Sequence, residues 1–275
     1  MSPLIEARDL QALMREGPVR VVDAGWRLDG TDTRALFRQA HIPGAVFFDL
    51  EAVSDPTSPL PHTLPDADHF GQVMGTLGLS ESDRIVVYEA GPMFSAPRAW
   101  WMLKTFGATQ VQVLNGGLDA WPRAGGEIER GDARPLPARF NARLDRTAVV
   151  DIEAVRRALT EGSAPVLDAR GAARFRGEST EPRPGVRPGH MPGARNLPYS
   201  ALVDEAGRLR DRAELEAAFE ASGLDNTAVP ITTCGSGVTA AILVLALTML
   251  GRPARLYDGS WAEWGSRADT PIQTG

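Results

Sequence analysis

Cysteine and lysine are almost absent from this chain of 275 residues: Cys234 is the only thiol and Lys104 the only lysine. A single cysteine excludes an intrachain disulfide and any cysteine-rich metal site. The basic side chains are nearly all arginine, and 29 basic against 35 acidic residues leave a net charge of −6. That balance argues against a nucleic-acid surface, which needs clustered positive charge. Long apolar runs are missing too. The most apolar stretch, 240–250, is far too short to span a bilayer. The amino terminus carries Glu6 and Asp9 early and has no apolar core segment, so no secretory signal is read there. What is present is globular composition, 43% hydrophobic and 23% charged, at a length that allows one large domain or two of usual size. The expectation is a cytoplasmic enzyme or binding protein with no nucleic-acid or membrane partner.

The one cysteine sits in an informative place. It opens Cys234-Gly235-Ser236-Gly237-Val238-Thr239-Ala240, between a β-branched run at 229–233 and an apolar helical stretch at 238–250 that stops at Gly251 and Pro253. A thiol there lies beyond the carboxyl end of a strand, where open parallel sheets bind ligands. The backbone N–H groups of a helix's first turn lack intrahelical partners and favour an anion, so the setting favours thiolate, the nucleophilic form. A lone cysteine is more often a small buried hydrophobe. The paired glycines and the strand–loop–helix setting turn the balance toward a nucleophile.

The chain also repeats itself. Val21-Val22-Asp23-Ala24 is echoed by Val166-Leu167-Asp168-Ala169, and His41-Ile42-Pro43-Gly44-Ala45 by His190-Met191-Pro192-Gly193-Ala194. Ile85-Val86-Val87-Tyr88-Glu89 matches Pro230-Ile231-Thr232-Thr233-Cys234, and Asn115-Gly116-Gly117 with Trp121 matches Asp258-Gly259-Ser260 with Trp264. Four landmarks in one order at nearly one offset mark two copies of one module. Each copy alternates short β-branched runs with amphipathic stretches, the pattern of an α/β fold with a central parallel sheet flanked by helices. Strands are expected at 19–23, 45–48, 85–88 and 111–114, then at 166–168, 195–197, 229–233 and 254–257. Helices are expected at 99–106, 152–160 and 212–222. The domains are read as 1–124 and 149–275, joined by a Gly-, Pro- and Arg-bearing linker at 125–148. Where the second copy has Cys234 the first has Glu89, so the chemistry belongs to the second copy.

These residues resemble the tandem-domain rhodanese family, with the His-x-Pro-Gly-Ala element in both halves and one cysteine in the second. The loop 234–240 is similar to that of the 3-mercaptopyruvate sulfurtransferases within that family. The resemblance covers nearly the whole chain and implies two tandem rhodanese-like domains. It implies transfer of sulfur from 3-mercaptopyruvate through a Cys234 persulfide to cyanide, a small thiol or thioredoxin, releasing pyruvate. No metal or organic cofactor is implied, because sulfur is both electrophile and cargo, and an internally duplicated chain is expected to act as a monomer. Loop residues Gly235, Ser236, Gly237, Val238 and Thr239 are expected to cradle the persulfide, with the glycines letting the backbone curl around it. Arg174 and Arg183 match the substrate-binding arginines of the mercaptopyruvate enzymes, while Arg170, Arg176 and Arg187 lie nearby without an assigned part. Asp32 and His41 align with residues that the family is proposed to use with Ser236 in a proton relay. His41 recurs as His190, so a structural turn residue is the competing reading; His62 and His69 show no ligand spacing.

Two other readings compete at the loop itself. A Cys-based phosphatase needs an arginine six residues beyond the cysteine, where this chain has Ala240. A non-catalytic sulfur carrier would have no use for a pair of carboxylate anchors. Within sulfurtransferases, thiosulfate is the alternative donor. Thiosulfate-specific relatives carry basic residues right after the cysteine, whereas Gly235 and Ser236 are uncharged and suit a singly charged keto acid.

Overall fold

Buried β-branched runs set the frame. The central strand of the first half does not alternate between polar and apolar positions; Ile85, Val86, Val87 and Tyr88 are all buried, as expected for a strand covered on both faces. The computed structural model describes residues 2–225 and 227–275 and divides into two compact units. The first comprises Met1–Pro56, Leu64–Asp145 and Val203–Leu209; the second comprises Thr57–Thr63, Arg146–Leu202 and Arg210–Gly275. Each unit therefore includes one short segment taken from the other half of the sequence.

In the first unit the strands are β1 (Leu4–Ile5), β2 (Arg20–Asp23), β3 (Val46–Phe47), β4 (Arg84–Tyr88) and β5 (Gln110–Leu114). They alternate with helices α1 (Ala7–Glu16), α2 (Thr33–Gln39), α3 (Leu50–Val53), α4 (Ala67–Thr76), α5 (Ala96–Thr105) and α6 (Gly117–Arg123). The sheet is parallel with order β1-β5-β4-β2-β3. The second unit repeats this with β6 (Val149–Val150), β7 (Val166–Asp168), β8 (Arg195–Asn196), β9 (Ile231–Thr233) and β10 (Arg255–Tyr257). Its helices are α7 (Ile152–Glu161), α8 (Ala172–Phe175), α9 (Arg212–Ala221), α10 (Ala240–Met249) and α11 (Ser260–Trp264). Its order, β6-β10-β9-β7-β8, is also parallel and matches the first strand for strand.

The central helices α5 and α10 follow the central strands β4 and β9. Ala240 through Leu247 are all buried, so α10 is apolar all round because it lies inside the core. Three helices with an exposed face, α4, α7 and α9, start on side-chain caps: Asp66, Asp151 and Asp211 accept from N–H groups three residues on, and Asp211 completes a capping box with Glu214.

The 125–148 stretch, expected to be a linker, carries no regular element, yet it packs along the first unit as far as Asp145. Its backbone donates from Ala138 to Gly75, from Arg143 to Phe106 and from Asp145 to Thr105, and Phe140 is buried edge-on to Phe70. A Cβ on Gly75 would lie 2.7 Å from the Ala138 oxygen, so this strap requires glycine on α4.

Candidate active site

Strand β9 delivers Cys234 to the carboxyl edge of the second sheet, and the chain turns through 235–239 into α10. Cys234 is only 2% exposed. The start of α11 pins it: Trp261 N–H donates to the Cys234 oxygen at 2.9 Å, Ala262 N–H to the Gly235 oxygen at 2.8 Å, and Cys234 N–H reaches Ser260 Oγ at 3.4 Å. Gly237 has φ of 77°, a left-handed conformation that lets the loop fold back into the helix. Val238 and Thr239 are buried beside it.

Among the described residues only two non-glycines have positive φ, His62 at 61° and Ser260 at 49°. Both touch this loop. Ser260 holds the Cys234 amide, and His62 Nδ1 is 2.9 Å from Ser236 Oγ. Backbone strain of about 1–3 kcal/mol per residue is retained where surrounding structure enforces it, characteristically at functional sites. Ser236 is buried and has a second partner, Arg183, whose Nη2 donates to Oγ at 3.3 Å.

The other expected anchor, Arg174, projects from α8 to the neighbouring residue. Its Nη2 lies 3.1 Å from where a Cβ on Gly235 would stand, so glycine leaves room for the guanidinium. Arg174 is paired with Glu181 through Nε and Nη2. Glu181 also accepts from Arg170, which is fully buried, paired with Asp168 and stacked over the Trp261 ring at 4.3 Å. Arg170 is thus a buried structural cation. Arg176 pairs with Glu178 at the surface, and Arg187 ties to the Gly265 and Thr270 carbonyls.

Asp32 and His41, expected in a relay, lie in the first unit and have local duties there. Asp32 is the exposed N-cap of α2 and accepts from Ala35 N–H at 2.9 Å. His41 is buried, with Nδ1 2.8 Å from the Phe37 oxygen and its ring stacked on Phe37 at 4.1 Å. His190 repeats this on Phe175, with distances of 2.8 Å and 3.9 Å. Both histidines thereby brace the turn at the following Pro-Gly. The histidine on Ser236 is His62, whose place in the sequence shows no ligand spacing. One signal could have found it: unlike His41, it has no counterpart in the other half.

The first unit shows what this loop geometry does with a negative charge. Glu89, at the position of Cys234, is buried, and its carboxylate accepts from the N–H groups of Phe94, Ser95 and Ala96 and from Ser95 Oγ. Arg27 pairs with it at 3.1 Å. Burial pushes the Glu89 carboxyl above its usual range, against these donors and the Arg27 charge. The amides entering α5 thus ring an anion at the end of β4. In the second unit the corresponding strand end carries a thiol, a smaller group than the Glu89 side chain.

The profile of the Rhodanese-like domain matches residues 6–124 and 151–267. The chain is 47% identical to the 3-mercaptopyruvate sulfurtransferase of Escherichia coli over 259 residues, 93% of this chain and 92% of that one. It is 38% identical to the thiosulfate sulfurtransferase of Gallus gallus, over 96% of this chain and 94% of that one. Among solved structures, that of SseA from Escherichia coli, a 3-mercaptopyruvate sulfotransferase, superposes with a TM-score of 0.87 at 42% identity, covering 95% of this chain and 99% of that one. With both copies of the domain matched and the strand order duplicated, the chain belongs to the rhodanese-like family as a tandem, two-domain member.

Proposed function

We propose that the second unit transfers sulfur from 3-mercaptopyruvate to a thiophilic acceptor through a persulfide on Cys234, releasing pyruvate. The observation that carries this reading is the convergence of two guanidiniums on the residues right after the nucleophile, Arg174 at Gly235 and Arg183 at Ser236. A keto acid presents a carboxylate and a carbonyl, and guanidinium forks hold such acceptors directionally. The relative in Escherichia coli named for this donor supports the same substrate.

The Cys234 thiolate attacks the donor sulfur. An S–S bond forms as the C–S bond breaks, and the electron pair leaves with carbon as the enolate of pyruvate. The proton brought by the donor thiol passes through Ser236 and His62 to the enolate carbon, leaving the persulfide as its anion. Loop amides and the first turn of α10 hold that anion, as their counterparts hold Glu89. Cyanide, a small thiol or thioredoxin then takes the outer sulfur and restores the thiolate, a ping-pong sequence. The relay is assigned to His62 rather than to His41 and Asp32, whose polar groups brace a turn and cap α2.

Intact-mass measurement after adding 3-mercaptopyruvate, with pyruvate assayed in parallel, tests the covalent step. A gain of one sulfur is expected in the wild type and not in Cys234→Ser; pyruvate release without it would exclude the persulfide. The similarity to the Gallus gallus enzyme favours thiosulfate as the second reading. A higher kcat/KM for thiosulfate than for 3-mercaptopyruvate would establish that reading instead.

A further inference from the structure

Three positions at the carboxyl edge of the sheet distinguish the unit that carries the cysteine from the one that carries Glu89. By the landmarks of the duplication, Gly25, Tyr88 and Leu118 in the first unit stand where the second has Arg170, Thr233 and Trp261. The strand register agrees: Asp23 pairs with Tyr88 as Asp168 pairs with Thr233. In the first unit the strand-end aspartate takes a hydrogen bond from the Tyr88 hydroxyl on the neighbouring strand β4. Thr233 is a shorter side chain, and its buried hydroxyl makes no such bond. The partner of Asp168 is instead Arg170, whose guanidinium lies over the Trp261 ring at 4.3 Å.

All three nitrogens of the Arg170 guanidinium are engaged. Nε and Nη2 meet Asp168, Nη2 also donates to the Gly189 oxygen at 2.8 Å, and Nη1 donates to Glu181 at 2.9 Å. Its flat face holds the Trp261 indole, which is fully buried and donates from Nε1 to the Arg187 oxygen. The backbone N–H groups of Trp261 and Ala262 are the ones that pin Cys234 and Gly235. Arg170 thus reaches the nucleophile through Trp261, and the Arg174 side chain through Glu181. The fold does not require this group, because the first unit forms the same strand order with glycine and leucine at these places. Nor does a buried ion pair add much net stability, since desolvation offsets the attraction. Its presence in the copy with the thiol alone points to the reaction rather than to the fold.

Resting on the assignment of Cys234 as nucleophile and Arg174 as a donor anchor, we propose that Arg170 is a positioning residue that sets both at once, the cysteine loop through the face of Trp261 and the anchor through Glu181.

Single-turnover persulfide formation on Cys234, followed by intact mass across a range of 3-mercaptopyruvate concentrations, separates the two arms. Trp261→Leu copies the first unit and breaks only the arm to the cysteine loop. Its limiting rate should fall about tenfold, with the half-saturating concentration within about twofold of wild type. Trp261→Phe keeps an aromatic face under the guanidinium and should recover to within about threefold of the wild-type rate. Both variants lose the indole bond to the Arg187 oxygen, so that bond cannot explain a difference between them. Arg170→Lys keeps the charge but neither the flat face nor the fork, and so breaks both arms. It should lower the limiting rate about tenfold and raise the half-saturating concentration about tenfold. Equal limiting rates in folded Trp261→Leu and Trp261→Phe would overturn the proposal, as would an Arg170→Lys variant that loses thermal stability but keeps both kinetic constants. If Arg170→Lys does not fold, the tryptophan pair decides. A wild type that takes sulfur from thiosulfate but not from 3-mercaptopyruvate would overturn the donor reading alone, and the limiting rates of the tryptophan pair with thiosulfate would then decide the positioning of Cys234. A wild type that forms no persulfide with either donor would overturn both readings together.

Discussion

Asp168 and Arg170 meet as a buried ion pair at the end of β7, whereas Asp23 stands at the corresponding end of β2 with Gly25 in the arginine's place. Both carboxylates make the same local turn, accepting the N–H two residues on at 2.9 Å. The arginine two residues on belongs to the second copy alone. Burial pushes Asp23 up to about 7, and the nearby Glu89 charge adds to this, while the Gly25 amide and the Tyr88 hydroxyl oppose it. The duplication has thus kept an aspartate whose adjacent counter-ion exists in one copy.

A pH dependence follows. Ionising Asp23 costs more in the folded protein than in the unfolded chain, where aspartate titrates near 3.9. Stability attributable to this group is complete below that value and is lost as pH rises toward 7, by about 4 kcal/mol at the limit. Asp23→Asn keeps an acceptor for Gly25 and cannot ionise. Its stability relative to wild type should improve by about 2 kcal/mol or more between pH 5 and pH 8. Urea unfolding at both values measures this; a pH-independent difference would remove Asp23 as the source.

The two histidines separate by what each is built into. His62 contacts Ser236 Oγ, so His62→Asn, which tolerates positive φ, should lower turnover of 3-mercaptopyruvate about a hundredfold with little loss of stability. His41→Asn loses the Phe37 stack and the bond to the Phe37 oxygen, and should cost about 2 kcal/mol of stability. Steady-state rates and unfolding curves on both variants decide the matter. A larger turnover loss from His41→Asn than from His62→Asn would reverse the assignment.

Much of the fold is legible in the sequence because it is carried by local pattern. The run 85–88 is β-branched and buried, 166–168 is buried throughout, and the repeated Asp, His-x-Pro-Gly and Gly-…-Trp landmarks reveal the duplicated order by themselves. Cys234 and its loop are legible for the same reason. His62 is not, since it meets Ser236 across 174 residues of sequence from a proline-flanked stretch with no period. Its segment, 57–63, belongs to the second unit despite lying in the first half of the chain, and no local pattern encodes such an exchange. The repeated histidine is ambiguous in the sequence for a related reason: a motif match does not distinguish a turn residue from a relay. Glu181 escapes notice because its inward turn depends on where Arg170 and Arg174 are placed by the fold.

Ser260 provides the sharpest comparison between the copies. It has φ of 49°, and Gly117, at the equivalent position, has 56°. In the first unit glycine is needed, because a Cβ on Gly117 would lie 2.3 Å from the Glu89 oxygen. In the second unit a serine occupies the same backbone region, and its hydroxyl donates to the Tyr257 oxygen at 2.8 Å while holding Cys234 N–H at 3.4 Å. The strain is thus retained together with a contact to the nucleophile's backbone. Ser260→Ala keeps the strain and loses both bonds, so it should be about 1–2 kcal/mol less stable than wild type. Ser260→Gly loses the bonds but relieves the backbone, and should recover about 1 kcal/mol of that deficit. Both should form the Cys234 persulfide about tenfold more slowly, because the amide that fixes the cysteine is released, a loss of about 1.4 kcal/mol in transition-state stabilisation. Single-turnover mass measurements with 3-mercaptopyruvate give the rates and thermal unfolding gives the stabilities. Wild-type rates of persulfide formation in Ser260→Ala would show that the hydroxyl serves the fold and not the nucleophile.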